Sequence, residues 1–227
     1  MGAMIRKNVI AALPKEQSIR ISPFWYALGN MLPDMCWLPV THPHFEARSA
    51  AFIRVKLDLS LNKHRRHDLD QLIVSPIFSL RLGIVSHYLC DFFCVAHQGR
   101  GINGAKRHLD YEHDMRDYFY EHKAEIEELC RFTPKSSDAS AKAATSDSLV
   151  ELFEIWHDKY SVSQSGFLRE FNNFQISAAE QREAFITDIQ TAIECCTSLF
   201  CAFAEPAPVP VPVTVLIPVI IGEAERF

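Results

Sequence analysis

Residues 76–97, PIFSLRLGIVSHYLCDFFCVAH, are apolar on nearly every side of a helical projection, and this stretch decides the fold. It predicts the central helix of a bundle, because a helix at the edge of a core is apolar on one face only. Three metal-binding residue types nevertheless lie within it, namely His87, Asp91 and His97. A buried histidine and aspartate without partners cost several kcal/mol, whereas a metal ion satisfies both. The stretch therefore predicts a metal site inside a helical core.

Apolar residues recur at helical spacing in much of the remaining chain. The pattern is present in 46–62, 107–131, 147–160 and 178–204. Strict alternation is nearly absent before the C-terminal tail, and only eight glycines occur in 227 residues, as long packed helices favour. We therefore predict an all-α multi-helix bundle that forms a single domain over residues 1–204.

Composition and charge narrow the range of functions. Hydrophobic residues make up 48% of the chain and charged residues 22%, which excludes a disordered protein. The formal net charge of −5 provides no overall field for nucleic acid, so no nucleic-acid partner is expected. Seven cysteines without a CxxC pair favour a reducing compartment or free thiols over a disulfide scaffold. The N-terminal segment has too short an apolar stretch for a secretory signal, so we expect either a cytoplasmic protein or a natural leader missing from this sequence.

The tail, residues 205–227, differs from the rest of the chain. Its segment 206–222, PAPVPVPVTVLIPVIIG, has no charge and five prolines. The prolines exclude a regular transmembrane helix despite the hydrophobicity, so we predict an extended apolar segment. It packs along the bundle or a protein partner, or it makes a peripheral membrane contact.

Helix geometry divides the three polar residues of the central stretch. His87 and Asp91 stand one turn apart on one face, about 6 Å along the axis, a spacing at which two side chains bind one ion. His97 lies roughly 9 Å further along and about 120° around, so a straight helix cannot bring it to the same ion. It serves a second ion, or the helix ends before it.

A second pair with helical spacing follows a glycine-rich break at 98–107. His108 and Glu112 again stand at positions i and i+4. Together with His97 they form a histidine-rich group with one carboxylate, which is typical of hydrolytic zinc sites.

Upstream, a proline-bounded segment supplies further ligands. Residues 29–46, GNMLPDMCWLPVTHPHFE, contain Asp34, His42 and His44. Asp34 and one of these two histidines complete the group begun by His87 and Asp91.

The chain contains an ordered set of motifs, namely GNMLPD, a histidine ten residues after its aspartate (His44), HYLCDFFCVAH and HLDYE. In this set the chain resembles the zinc-dependent phospholipase C family. That family shares its all-helical fold with the S1/P1-type nucleases, and the resemblance covers residues 22–120. It implies a cluster of up to three zinc ions at the end of the bundle, which activates water for attack on phosphate esters. The family's third zinc takes an amino-terminal histidine, and none precedes His42 here, so we expect two zinc ions and leave a third open.

The resemblance assigns seven ligands by position. The first zinc takes Asp34, His44, His87 and Asp91. The second zinc takes His97, His108 and Glu112. Asp91 is also able to bridge to another ion, and Asp34 occupies the position of a possible catalytic base.

The resulting functional prediction is a zinc-dependent phosphodiesterase, a phospholipase C-like hydrolase of a phospholipid or small phosphodiester. Trp37, Phe45 and Tyr111 lie near predicted ligands and are candidates for an aromatic wall that binds a quaternary ammonium head group. Two alternatives remain: a metal-dependent enzyme of the same fold that acts on nucleic acid or a small metabolite, and a non-catalytic helical interaction module.

Overall fold

The computed structural model describes residues 1–12, 21–35, 43–45, 49–56, 59, 76–98, 102–131 and 146–202. Over these ranges the chain forms helices and no strand, which confirms the all-α prediction. The helices are α1 (Gly2–Ala12), α2 (Pro23–Met35), α3 (Pro76–Phe92), α4 (Ala105–Glu121), α5 (Lys123–Leu129), α6 (Ser146–Asn172) and α7 (Ala178–Ala202). Residues 49–56 are also helical, and a 3-10 turn, Val95–His97, follows α3. The predicted tail, 205–227, lies outside the described residues.

Helix α3 is the centre of the bundle, as predicted. Tyr88, Leu89 and Phe92 have no exposed surface, and α3 packs against α1, α2 and α7. The helix is shorter than predicted, because it ends at Phe92 rather than at His97. Cys94 is extended (φ −119°, ψ 128°), and the turn that follows carries His97. Of the two alternatives left open by the spacing, the structure therefore has the helix ending before His97.

Helices α2 and α3 cross at a pair of glycines, Gly29 and Gly83. A Cβ atom built on Gly83 would lie 2.8 Å from the Cα atom of Gly29, and one built on Gly29 would lie 2.9 Å from the Cα atom of Gly83. Real Cβ atoms do not approach other atoms so closely, so both positions require glycine. Near the crossing, the Tyr26 hydroxyl donates a buried hydrogen bond to Ser86 Oγ (2.8 Å). The crossing fixes the C-terminal half of α2 against the C-terminal half of α3.

The remaining helices enclose this pair. Helix α7 packs against α1, α3 and α6, and its residues Ile193, Cys196 and Leu199 are fully buried. The helical segment predicted over 107–131 is divided at His122 into α4 and α5, and the segment predicted over 147–160 continues to Asn172. Among the described residues, no helix combines the length and apolarity needed to cross a membrane.

Candidate metal centre

The structure brings all seven predicted ligand side chains together. They form three overlapping groups, and within each group the candidate ligand atoms lie within 4.8 Å of one another. The first group is Asp34, His44 and His87; the middle group is His44, Asp91 and His97; the last group is His97, His108 and Glu112. Their proximity is a feature of the fold, whereas their role as metal ligands stays a prediction.

The first group is positioned by the α2–α3 crossing. His87 Nδ1 lies 2.8 Å from the carbonyl oxygen of Asn30, and because a carbonyl only accepts, Nδ1 carries a proton. The other ring nitrogen, Nε2, then points toward two carboxylates: it lies 3.2 Å from Asp91 Oδ2 and 3.4 Å from Asp34 Oδ1. The backbone of α2 therefore orients the imidazole, and one turn further along the same helix supplies Asp34.

His44 reaches the cluster from the short segment 43–45. Its Nδ1 lies 2.9 Å from Asp91 Oδ2, and its Nε2 lies 3.8 Å from Asp34 Oδ1. The buried Ser49 holds this segment in place, since its hydroxyl donates to the Pro43 carbonyl (2.5 Å) and its amide donates to the Phe45 carbonyl (3.1 Å). His42, the alternative ligand, lies outside the described residues.

The last group combines the 3-10 turn with helix α4. His97 Nε2 and His108 Nε2 lie 2.9 Å and 3.2 Å from the same oxygen of Glu112, Oε1. The two imidazoles pack edge to face with ring centroids 4.7 Å apart. His97 is only 6% exposed, so the turn delivers it into the core rather than toward solvent.

Four buried polar atoms of the cluster make no hydrogen bond. They are His44 Nε2, His87 Nε2, Asp91 Oδ2 and His97 Nδ1. Asp91 Oδ2 is close to two ring nitrogens, but neither contact has hydrogen-bonding geometry. Buried polar groups are normally paired, and a cation among these atoms supplies the missing partner. Because imidazole nitrogens and carboxylate oxygens are the donors that zinc prefers, the residues present fit a zinc site.

The carboxylates and imidazoles of the cluster lie next to one another and shift one another's pKa values. Burial lowers the pKa of the His87 imidazole, but Asp91 and Asp34 outweigh burial and raise it to about 11. Burial likewise opposes ionisation of Asp91, yet His87 and His44 hold its pKa well below the usual range. Burial also raises the pKa of Glu112, but hydrogen bonds from His108 and His97 lower it to about 2. In protein stripped of metal, His87 is therefore protonated at neutral pH, and an ion that binds there must displace this proton.

The three aromatic residues predicted to contact substrate have different positions. Phe45 is half-buried, and its ring centroid lies 5.6 Å from that of His97. Tyr111 is 1% exposed and its hydroxyl donates to Asp188, so its burial argues against the predicted contact with a head group. Trp37 lies outside the described residues.

Sequence reasoning missed several residues that shape the site. A lone glycine inside a helical pattern indicates close backbone approach, so Gly29 and Gly83 could have been noticed. Asn30 acts through its backbone carbonyl, which leaves no signal in the residue type. Asp188 joins the surroundings of the cluster from a distant helix, and no local pattern indicates it.

Comparison with known proteins agrees with the geometry. A profile of the family described as zinc-dependent phospholipase C matches residues 3–167, which is more than half of the chain and includes all seven clustered residues. No curated protein and no solved structure matches the chain significantly. The matched family, the all-α fold and a donor set suited to zinc indicate a zinc-dependent hydrolase. The chain belongs to the zinc-dependent phospholipase C family.

Proposed function

We propose that the protein hydrolyses a phosphate ester in a phospholipid or a related small phosphodiester, with two zinc ions bound in the cluster. The observation that carries the proposal is the convergence of seven nitrogen and oxygen donors, four of them with buried, unpaired atoms, inside the range matched by the family. Without an ion, each of these unpaired buried polar atoms costs about 1–3 kcal/mol. An ion removes that cost.

The ligands divide between two ions according to their separations. One zinc takes Asp34, His44, His87 and Asp91. The other takes His97, His108 and Glu112. The middle group shares every ligand with one of the two ions, because His44 and Asp91 belong with the first ion and His97 belongs with the second. Two ions therefore account for all three groups. Bound zinc lowers the pKa of water and stabilises negative charge on phosphoryl oxygens.

The protein's own residues then have distinct tasks. The Asn30 carbonyl keeps the His87 proton on Nδ1, so that Nε2 presents its lone pair to the ion. Asp34 has a 64% exposed side chain, far more than the 20% of Asp91, so it is the carboxylate of the first group that reaches solvent. We assign Asp34 the roles of ligand and of general base toward the attacking water. Phe45, half-buried beside His97, offers an apolar surface to the substrate.

The experiment compares two substrate classes with the same preparation. Zinc-loaded protein is assayed with p-nitrophenyl phosphocholine and, separately, with single-stranded DNA. We expect hydrolysis of the small phosphodiester, loss of activity after chelation and its return with zinc. Asp34→Asn should lose at least about 100-fold in kcat, the scale of general-base catalysis.

The matched control is Asp117→Asn on α4. Asp117 is an exposed aspartate paired with the adjacent Arg116, so the same chemical change there should leave the rate unchanged. Zinc-loaded protein that cleaves only DNA contradicts the proposed substrate class. Zinc-loaded protein that cleaves neither substrate contradicts the proposed activity.

A further inference from the structure

Asp188 on α7 is a buried carboxylate with no place among the predicted ligands. It is 2% exposed and accepts hydrogen bonds from three other elements, and the Cys94 thiol donates to it as well. The Val95 amide of the 3-10 turn donates to Oδ2 at 3.0 Å, and the Tyr111 hydroxyl of α4 donates to the same oxygen at 2.8 Å. The Tyr160 hydroxyl of α6 donates to Oδ1 at 2.6 Å. One side chain thus connects four elements of the fold.

Core stability alone does not account for a carboxylate at this position. Burial raises the pKa of Asp188 to about 7, although hydrogen bonds from Tyr160, Val95 and Tyr111 oppose that shift. A buried polar network is often no more stabilising than apolar residues of similar volume, because desolvation offsets the attraction. The geometry of the network indicates another role.

Oδ2 of Asp188 joins the two elements that supply the last metal group. Val95 begins the turn that carries His97, and Tyr111 directly precedes Glu112 on α4. The separation between the turn and α4 determines whether His97 and Glu112 can reach one ion. Zinc binds nitrogen and oxygen ligands at about 2.0–2.2 Å, so a small displacement of the turn lowers its affinity.

We propose that Asp188 is a positioning residue for the group of His97, His108 and Glu112, holding the 3-10 turn and helix α4 at the separation that one zinc ion requires. This inference rests on the proposed function. It assigns a role to a residue outside the range matched by the family, 3–167. Outer hydrogen bonds of this kind typically contribute 10–100-fold to metal affinity.

Asp188→Ala tests the proposal most directly. Alanine removes both accepting oxygens, so the Val95 amide and the Tyr111 hydroxyl lose the acceptor that they share. The turn stays attached to α3, because the Gln98 side chain still donates to the Phe92 carbonyl. We expect the first zinc to bind as in the wild type and the second about 10–100-fold more weakly in a chelator competition. Cobalt(II) placed at the second position should also show an altered visible absorption band.

Two controls separate positioning from general destabilisation. Ile189→Ala removes a core side chain next to Asp188 in sequence, so it should lower the melting temperature without changing either zinc affinity. Tyr160→Phe removes only the hydrogen bond between α6 and Asp188 Oδ1. That bond involves neither the turn nor α4, so its loss should also leave the affinities for both zinc ions unchanged. Tyr111→Phe makes the same chemical change at Oδ2 and should weaken the second zinc. It serves as the test if Asp188→Ala does not fold.

The outcomes are distinct for the two proposals. Tight wild-type binding of a second zinc that persists in Asp188→Ala and Tyr111→Phe overturns the positioning role and leaves the proposed function intact. Equal weakening by Ile189→Ala or Tyr160→Phe also overturns it, because general loosening then explains the effect. A wild-type protein that binds no zinc overturns both proposals.

Discussion

Replacing Gly83 with alanine tests whether the α2–α3 crossing positions the first metal group. A Cβ at residue 83 would lie 2.8 Å from Gly29 Cα, 2.9 Å from the Asn30 backbone nitrogen and closer still to the Tyr26 carbonyl oxygen. All of these are backbone atoms, so no side-chain rotation relieves the overlap. Ordinary contact begins at 3.4 Å, and the overlap with the Tyr26 carbonyl oxygen means that the two helices must separate by about 1 Å.

The magnitude follows from two opposing effects. A methyl group forced into a packed interface typically costs 1–3 kcal/mol, whereas alanine gains up to about 1 kcal/mol over glycine inside a helix. We expect the free energy of unfolding to fall by about 1–2 kcal/mol, which lowers the melting temperature by roughly 2–8 °C. The separation also lengthens the hydrogen bond from His87 to Asn30, so the first zinc should bind about 10–100-fold more weakly.

The control is the same substitution at Gly166. A Cβ there meets nothing within 4 Å, and the residue lies inside α6, so Gly166→Ala should stabilise the protein by about 0.5–1 kcal/mol. Urea unfolding of chelator-treated protein measures stability, and chelator competition measures zinc affinity. The reasoning is refuted if Gly83→Ala unfolds at the same urea concentration as the wild type and retains the affinity of the first zinc.

Three further predictions concern protons and metal. Zinc binding at pH 7 should release at least one proton, because His87, with its pKa raised to about 11, must lose its Nε2 proton. Calorimetry in buffers of different ionisation enthalpy measures the number of protons released, and a value of zero contradicts the prediction. In chelator-treated protein, the pKa of Glu112 is lowered from 4.5 to about 2, so its stabilising contribution is complete above pH 4.5 and is lost as the pH falls toward 2. Glu112→Gln should therefore flatten the acid-unfolding curve, and an unchanged curve excludes the contribution. Chelation should lower the melting temperature of the wild type by about 10 °C, whereas an unchanged melting curve opposes a buried cluster.

Local spacing predicted much of the candidate site. His87 with Asp91, and His108 with Glu112, are pairs one helical turn apart, and helix geometry alone brings such side chains together. The break between them was also predictable in part, because His97 cannot share a face with Asp91 on a straight helix. The structure ends α3 at Phe92, which brings His97 to α4.

Contacts between distant segments were beyond the sequence argument. Val95 begins the 3-10 turn that follows α3, and its amide donates to Asp188, more than ninety residues later in the chain. No periodicity in the sequence indicates that bond. The burial of Tyr111, which was predicted to contact substrate, has a local cause. Consecutive helix residues point about 100° apart, so a position next to Glu112 in sequence gives no position next to it in space.

The helix crossing shows the same limit. Lone glycines within apolar helical patterns indicate close approach, but the partner cannot be identified from one sequence. Gly83 meets Gly29, and this pairing places the Asn30 carbonyl against His87. The orientation of a predicted ligand therefore depends on packing between two helices that are distant in sequence.

The zinc content of the wild type tests the central claim most directly. Protein purified without a histidine tag or added metal is analysed for metals beside Asp91→Ala, which removes a carboxylate close to both His44 and His87, and Asp117→Ala, an exposed control. The account predicts about two zinc atoms per chain in the wild type and in Asp117→Ala, and fewer in Asp91→Ala. Fewer than about 0.5 zinc atoms per wild-type chain, or a content unchanged by Asp91→Ala, contradicts a zinc centre built from these residues.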